Sequence, residues 1–340
     1  MKISCPKCQS LLQLDIGPEK FHCGSCGTKY SRTSDYIDLR LNDEMDTLLD
    51  IDSYDENHGV TGDAASCQLW RFYEKLLQRL GTNLQGRALE IASGSGHLSL
   101  GLIAESNFQE IFLSDISPRF MQLLRRKLNQ RPEPKAEIIS FLFDANYIPF
   151  DESSFDLIIG NSVLHHFATF ESTLKSAYRV LKPGGVAIFG EPVMDTYVFM
   201  SLAAKLIHET CQLLTNHPLN QYDLMIVKAM SELAGVQMNN LRSSRLDLNH
   251  IEDKFVFPVN YMRTTSEEIG FHQFHCITPE VNNFSSVVKT QFARIFEQQK
   301  IDTTKIDYFN YIFDSIGDVY GGAMKEDLKA AFSFFAFIKK

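Results

Sequence analysis

The first residues of this chain whose spacing can do chemistry are cysteines. Cys5 and Cys8 form one CxxC, and Cys23 and Cys26 form another after fourteen intervening residues. Each CxxC turn aims two thiolates at one point, so the four can surround one zinc ion as a tetrahedron. A redox CxxC usually opens a helix in a βαβ setting, which is absent here. All four places are filled by thiolate and none is left for a catalytic water, so the expected role of Zn2+ is structural. Gly24 and Gly27 suit the tight backbone of the second turn.

A second group surrounds LEIASGSGH at residues 89–97. An apolar run ends there in Gly94 and Gly96, and their bare backbone lets N–H groups approach a ligand closely. Asp115 follows 19 residues after Gly96 at the end of another apolar run, where a carboxylate can accept both hydroxyls of a ribose. These features suit NAD and S-adenosylmethionine equally. The dinucleotide fingerprint GxGxxG wants a third glycine, and that position holds Ser99. Glu90 points the same way, because a carboxylate repels a pyrophosphate and attracts the ammonium of a methionine moiety. Ala92 is harmless if its φ is negative and costs about 1 kcal/mol if φ is positive.

These groups need elements to hold them. From residue 87 the pattern alternates: strands at 88–91, 110–115, 138–144, 155–160 and 186–190 are separated by helices at 97–105, 119–128 and 173–181. Such alternation implies a parallel sheet with helices on both faces. The ligand then lies beyond the carboxyl ends of the strands, at the switch point. An amphipathic helix is expected at 66–80, where Leu69, Phe72, Tyr73, Leu76 and Leu77 recur at three- and four-residue steps.

Five segments in this order resemble the class I S-adenosylmethionine-dependent methyltransferases: LEIASGSG, FLSDIS, FDANYIPFDESSFD, IIGNSVLHHF and LKPGGVAIFGEP. MRTTSEEIGFHQFHCI at 262–277 is similar to the family's last helix and sixth strand, and 332–339 to its antiparallel seventh. The resemblance implies an α/β, Rossmann-like seven-stranded sheet, mostly parallel with the last strand antiparallel, carrying helical insertions. It implies a cofactor set of Glu90, Ala92, Ser93, Gly94, Gly96, His97, Asp115, Ile116, Asp144, Ala145 and Asn161, with Tyr54 in a segment closing over it. His166 matches a position near cofactor and substrate, so His166, and less so His165, are catalytic candidates, against simple loop capping. Glu191, after the fifth strand, could face the acceptor pocket or be a surface acid.

The expected organisation is a zinc ribbon at 1–40, an acidic linker at 41–63 and a methyltransferase domain at 64–340, with cap insertions at 193–261 and 285–325. Between 194 and 262 lie six methionines, which suit either the wall of a bulky organic acceptor's pocket or ordinary helix packing. Helices are expected at 201–214, with Leu202, Leu206, Ile207 and Leu213 as its stripe, and at 223–233.

Net charge is −9, so a nucleic-acid substrate would need a local basic patch. Candidates are the ribbon, with Lys2, Lys7, Lys20, Lys29, Arg32 and Arg40, and the helix bearing Arg119, Arg125, Arg126 and Lys127. The start MKISCPKC is no secretory signal, no run is long enough for a membrane span, and the cysteine usage is that of a cytoplasmic chain. The expected function is methyl transfer from S-adenosylmethionine to a small organic acceptor. Two alternatives are an RNA methyltransferase reading RNA through its ribbon and a non-catalytic cofactor-binding regulator.

Overall fold

The computed structural model describes residues 2–13, 20–42, 63–82, 85–243, 248, 251, 253–279, 283–323 and 331–340. Residues 43–62 of the acidic linker, Tyr54 among them, lie outside the described residues.

At the N-terminus, β1 (Ile3–Ser4) and β2 (Leu11–Leu12) pair antiparallel. β3 (Lys20–His22), β4 (Lys29–Arg32) and β5 (Ile37–Asp38) form a short meander. The two cysteine turns are built alike. Gln9 N–H donates to the Cys5 carbonyl and Gly27 N–H to the Cys23 carbonyl, each at 2.8 Å. Gln9 and Gly27 both have left-handed backbones, at φ 61 and 71°. Glycine takes that conformation freely, whereas Gln9 is held in it.

Helix α1 (Asp63–Arg79) leads into β6 (Arg87–Ile91), α2 (Ser99–Glu105), β7 (Glu110–Asp115), α3 (Pro118–Asn129), β8 (Glu137–Leu142) and β9 (Phe155–Asn161). Next come α4 (Phe170–Val180), β10 (Leu181–Pro192), α5 (Met194–Leu213), α6 (Gln221–Arg242), α7 (Val259–Ile269), β11 (Gln273–Ile277), α8 (Phe284–Gln298), α9 (Asn310–Ala323) and β12 (Phe332–Ile338). The central strands lie in the order β11-β12-β10-β9-β6-β7-β8, and β12 alone of these seven runs antiparallel to its neighbours. This is the expected Rossmann-like sheet. Its order reverses between β6 and β9, which fixes the ligand crevice at their carboxyl ends.

The sheet does not stop at β8. β5 pairs with it in parallel, Ile37 opposite Phe141 and Asp38 opposite Leu142, so the ribbon meander extends the sheet to ten strands. The chain's first residues also bind the β8–β9 connection: Ser4 N–H donates to the Pro149 carbonyl at 3.0 Å, and Ile3 bridges Phe150. Ile3, Leu12, Tyr30, Ile37 and Leu39 share one apolar core with Phe112, Phe141, Phe143 and Phe150. On the opposite face, Trp70, Tyr73 and Leu77 of α1 pack with Leu102, Met121 and Leu124.

The two insertions fuse into one helical cap, where α5 and α6 pack with α8 and α9 around Met200, Met230, Phe292 and Phe313. The buried face of α5 is Met200, Ala203, Ala204, Ile207 and Cys211, while Leu202, Leu206 and Leu213 are exposed. Of the expected stripe only Ile207 is inside; the three leucines are not. The small residues sit inside because they let α5 and α6 approach closely. Met200, Met230 and Met262 are buried in cores, so ordinary helix packing accounts for them. No helix among the described residues is long and apolar enough to cross a membrane.

Candidate active site

The glycine loop is held by alternating left-handed residues: Ala92, Gly94 and Gly96 have φ of 53, 52 and 96°. A Cβ on Gly96 would lie 2.6 Å from Leu124 Cδ1, so α3 closes on bare backbone there. Ala92 falls in the unfavourable case of the two expected. Ala92→Gly should therefore stabilise the chain by about 1 kcal/mol, once the added freedom of the unfolded glycine is deducted. An increase in the urea midpoint at unchanged slope would show this, and a decrease would refute it.

Asp115 ties the loop to the next strand end. Its Oδ2 accepts Gly94 N–H at 2.8 Å and its Oδ1 accepts Ser117 N–H at 2.9 Å. Ser99, in place of a third glycine, is fully buried in the first turn of α2. Glu90 is 3% exposed, and its Oε2 has no hydrogen-bond partner among the described residues. Burial pushes its carboxyl up to about 8; the nearby Asp115 charge adds to the rise and Ser99 opposes it. The Ser93 hydroxyl is likewise buried without a partner among the described residues. His97 is exposed at the loop's end.

The other expected residues ring the same edge. Asp144 Oδ1 accepts Asn146 N–H at 2.9 Å, and Ala145 is buried beside it. Asn161 Oδ1 lies 3.0 Å from the Tyr73 hydroxyl, which also reaches the Gly160 carbonyl at 2.9 Å. Tyr73 had looked like one more apolar residue on the stripe of α1; only the fold shows that its polar tip reaches the end of β9. The Ile116 carbonyl accepts from Arg40 at 3.4 Å. Arg40 is in turn paired with Asp38 at 2.7 Å, so the ribbon's last strand touches the loop after β7.

Glu191 is not a surface acid. It is fully buried at the end of β10. Its Oε1 accepts Val163 N–H at 3.0 Å and Leu164 N–H at 2.8 Å, which anchors the short 3-10 turn Leu164–His166. Its Oε2 lies 2.6 Å from His165 Nδ1. On the far side of that ring, His165 Nε2 is 3.5 Å from Asp253 Oδ1. Burial alone would lower the His165 pKa, but the Glu191 and Asp253 carboxylates outweigh it and hold it at about 9. His166 Nδ1 also lies 3.5 Å from Asp253 Oδ1, and its side chain is 30% exposed. The structure thus separates the two histidines: His165 is clamped inside, and His166 opens outward. Nothing near Asp253 in the sequence signalled its place, since it comes from the segment before α7.

In the ribbon, Cys5 Sγ is 3.7 Å from Cys26 Sγ, and Cys8 Sγ is 3.6 Å from Cys23 Sγ. A disulfide would need about 2.05 Å. A tetrahedron with metal–sulfur bonds of about 2.3 Å has edges of about 3.8 Å, so the four thiols are spaced to hold a zinc-sized ion.

Residues 89–189 match the methyltransferase domain family. A ubiquinone/menaquinone biosynthesis C-methyltransferase of Azotobacter vinelandii is 34% identical over 167 residues, which cover 44% of this chain and 64% of that protein. A demethylmenaquinone methyltransferase of Thermus thermophilus is 33% identical over 99 residues, covering 29% and 44%. The chain thus spans less than two thirds of the length of these curated relatives. Among solved structures, phosphoethanolamine N-methyltransferase 2 of Haemonchus contortus in complex with S-adenosyl-L-methionine is 16% identical, covers 86% of this chain and 60% of its own, and has a TM-score of 0.44.

Proposed function

This chain carries a class I S-adenosylmethionine-dependent methyltransferase domain, and from that premise we propose that it transfers the methyl group of S-adenosylmethionine to a ring carbon of a small, hydroquinone-like acceptor. The observation that carries the cofactor reading is Glu90: a buried carboxylate with an unpartnered oxygen, behind a glycine loop at the switch point. A phosphate there would be repelled, whereas a cation is attracted. The acceptor class is supported by the activities for which the matched relatives are named, which include a 2-methyl-6-phytyl-1,4-hydroquinone methyltransferase of rice.

The cofactor supplies an electrophilic methyl group on a positive sulfur. The protein's part is alignment and exclusion of water. Glu90 would face the cofactor's cationic end, Asp115 its ribose hydroxyls, and Asp144 with Ala145 its adenine. Asn161, steadied by Tyr73 at the end of β9, would lie between cofactor and acceptor. A phenolic ring needs its hydroxyl proton held or removed to become nucleophilic at carbon. Glu191 and Asp253 keep His165 protonated, so His166, on the open side of the pair, is the base candidate at that edge. RNA is the weaker reading, because much of the ribbon's apolar surface is spent on the sheet. In the ribbon, we propose that Cys5, Cys8, Cys23 and Cys26 hold one structural zinc ion.

The test is label transfer from methyl-labelled S-adenosylmethionine, with a short-chain hydroquinone and total RNA offered in parallel. Label in the hydroquinone supports the proposal; label confined to RNA overturns it. Glu90 adds a pH signature. Its folded pKa, about 8, lies above the ordinary 4.5. Between these values the folded state holds a proton that the unfolded state has lost, so stability should fall as pH rises across that window. Glu90→Gln should flatten the slope. Binding a cationic cofactor should expel the Glu90 proton, so at pH 7 calorimetry in buffers of different ionisation enthalpy should show proton release. No release, or proton uptake, would count against Glu90 as the cation's partner.

A further inference from the structure

We propose that His165, His166 and Asp253 form a second metal site, open to solvent and distinct from the ribbon, that takes a divalent transition-metal ion such as zinc or cobalt. Two imidazole nitrogens, His165 Nε2 and His166 Nδ1, converge on one carboxylate oxygen, Asp253 Oδ1, each at 3.5 Å. The three donors lie within 4.8 Å of one another. Bonds of about 2.0–2.1 Å from nitrogen and oxygen to a tetrahedral zinc ion give donor edges of about 3.4 Å. Two edges match, and the third is at most 4.8 Å.

A plain ion pair does not need this arrangement. One imidazole between Glu191 and Asp253 would satisfy both carboxylates. The second ring also faces Asp253, and if both rings carried protons they would repel, with their centroids 4.1 Å apart. Glu191 completes the pattern: held by the backbone N–H groups of Val163, Leu164 and His165, it accepts a hydrogen bond from His165 Nδ1 at 2.6 Å and so turns Nε2 toward Asp253, where a metal ion would displace the Nε2 proton. A carboxylate behind a ligating histidine is the usual outer support of such sites. With three protein donors and Asp253 76% exposed, a place stays open for an outside oxygen, as in catalytic rather than structural zinc sites. Arg294 of α8 also acts on Asp253 and will weaken the ion, so exchangeable binding is expected.

The site itself does not depend on the methyl-transfer reading; only the use of the ion does. It would then bind the acceptor's hydroxyl oxygen and lower its pKa, which deepens the hydroquinone proposal. The experiment uses the full chain with its ribbon loaded, titrated with zinc chloride by calorimetry and checked by metal analysis. Wild type should take up a second equivalent. His166→Ala and Asp253→Asn, both at partly exposed positions, should each weaken that equivalent at least tenfold and leave the first intact. Cobalt should report the same from its spectrum: thiolate charge-transfer bands that persist in both variants, and a weaker second signal that is lost. Uptake of one ion by wild type, or two ions bound equally by the variants, overturns the site. A chain that binds two ions but moves no methyl group upholds the site and fails only the proposed activity.

Discussion

Replacing Asp115 with alanine should weaken S-adenosylhomocysteine binding by roughly 30- to 700-fold, or about 2–4 kcal/mol. Two losses combine. The ribose hydroxyls lose a charged acceptor, and hydrogen bonds to a charged group contribute about 1.5–3 kcal/mol each. The apo loop also loses its tie, because Gly94 N–H and Ser117 N–H both donate to this carboxylate. Those two N–H groups belong to different strand ends, so Asp115 sets the spacing between the glycine loop and the start of α3. The cost therefore falls on pre-organisation as well as contact. Asp115→Asn keeps one oxygen but turns an amide N–H₂ toward one of the two donors, so it should fall between wild type and alanine. Calorimetry with S-adenosylhomocysteine measures both. Binding within threefold of wild type for Asp115→Ala, in a variant that still melts cooperatively, would remove Asp115 from the cofactor site.

Asp115 was legible in the sequence because local pattern alone places it: an acid that closes an apolar run must lie at a strand end. The glycine loop, Asp144 and the first five central strands were legible from local pattern too, whereas Asn161 and the last two strands came from the family resemblance. The linkage of Glu191, His165 and Asp253 was not. Residue type gives no sign that an acid before a proline is fully buried, and Asp253 reaches the site through a segment with no periodicity. Tyr73 was hidden for a different reason. In a stripe of Leu69, Phe72, Leu76 and Leu77 a tyrosine reads as bulk, and its hydroxyl acquires meaning only when α1 crosses the end of β9. The extension of the sheet by β5 was equally invisible, since two residues, Ile37 and Asp38, carry no alternation to detect.

That extension governs the second large effect. Cys23→Ser should lower the chain's stability by at least about 4 kcal/mol and weaken cofactor binding by roughly tenfold. A ribbon that were merely tethered would behave otherwise: losing its zinc would unfold some forty residues and leave the sheet unaffected. Here Leu39 N–H donates to the Leu142 carbonyl at 2.8 Å, two residues before Asp144. Ser4 Oγ lies 3.0 Å from the Tyr147 hydroxyl, and Ser4 N–H holds the Pro149 carbonyl. The β8–β9 connection that carries the proposed adenine-side residues is thus pinned on one side by strands that the proposed zinc ion would hold folded. Arg40 adds a contact to Ile116, beside Asp115. Without the ion, four converging thiols have no common partner, and a module this small has too little core of its own. The ribbon should then loosen, exposing the edge of β8 and freeing the 143–151 segment. Thermal melts and S-adenosylhomocysteine titrations of Cys23→Ser, compared with zinc-loaded wild type, decide the matter. The variant leaves His165, His166 and Asp253 untouched, so any change belongs to the ribbon. An unchanged cofactor affinity together with an unchanged main melting transition would show that the added strands decorate the sheet without supporting it.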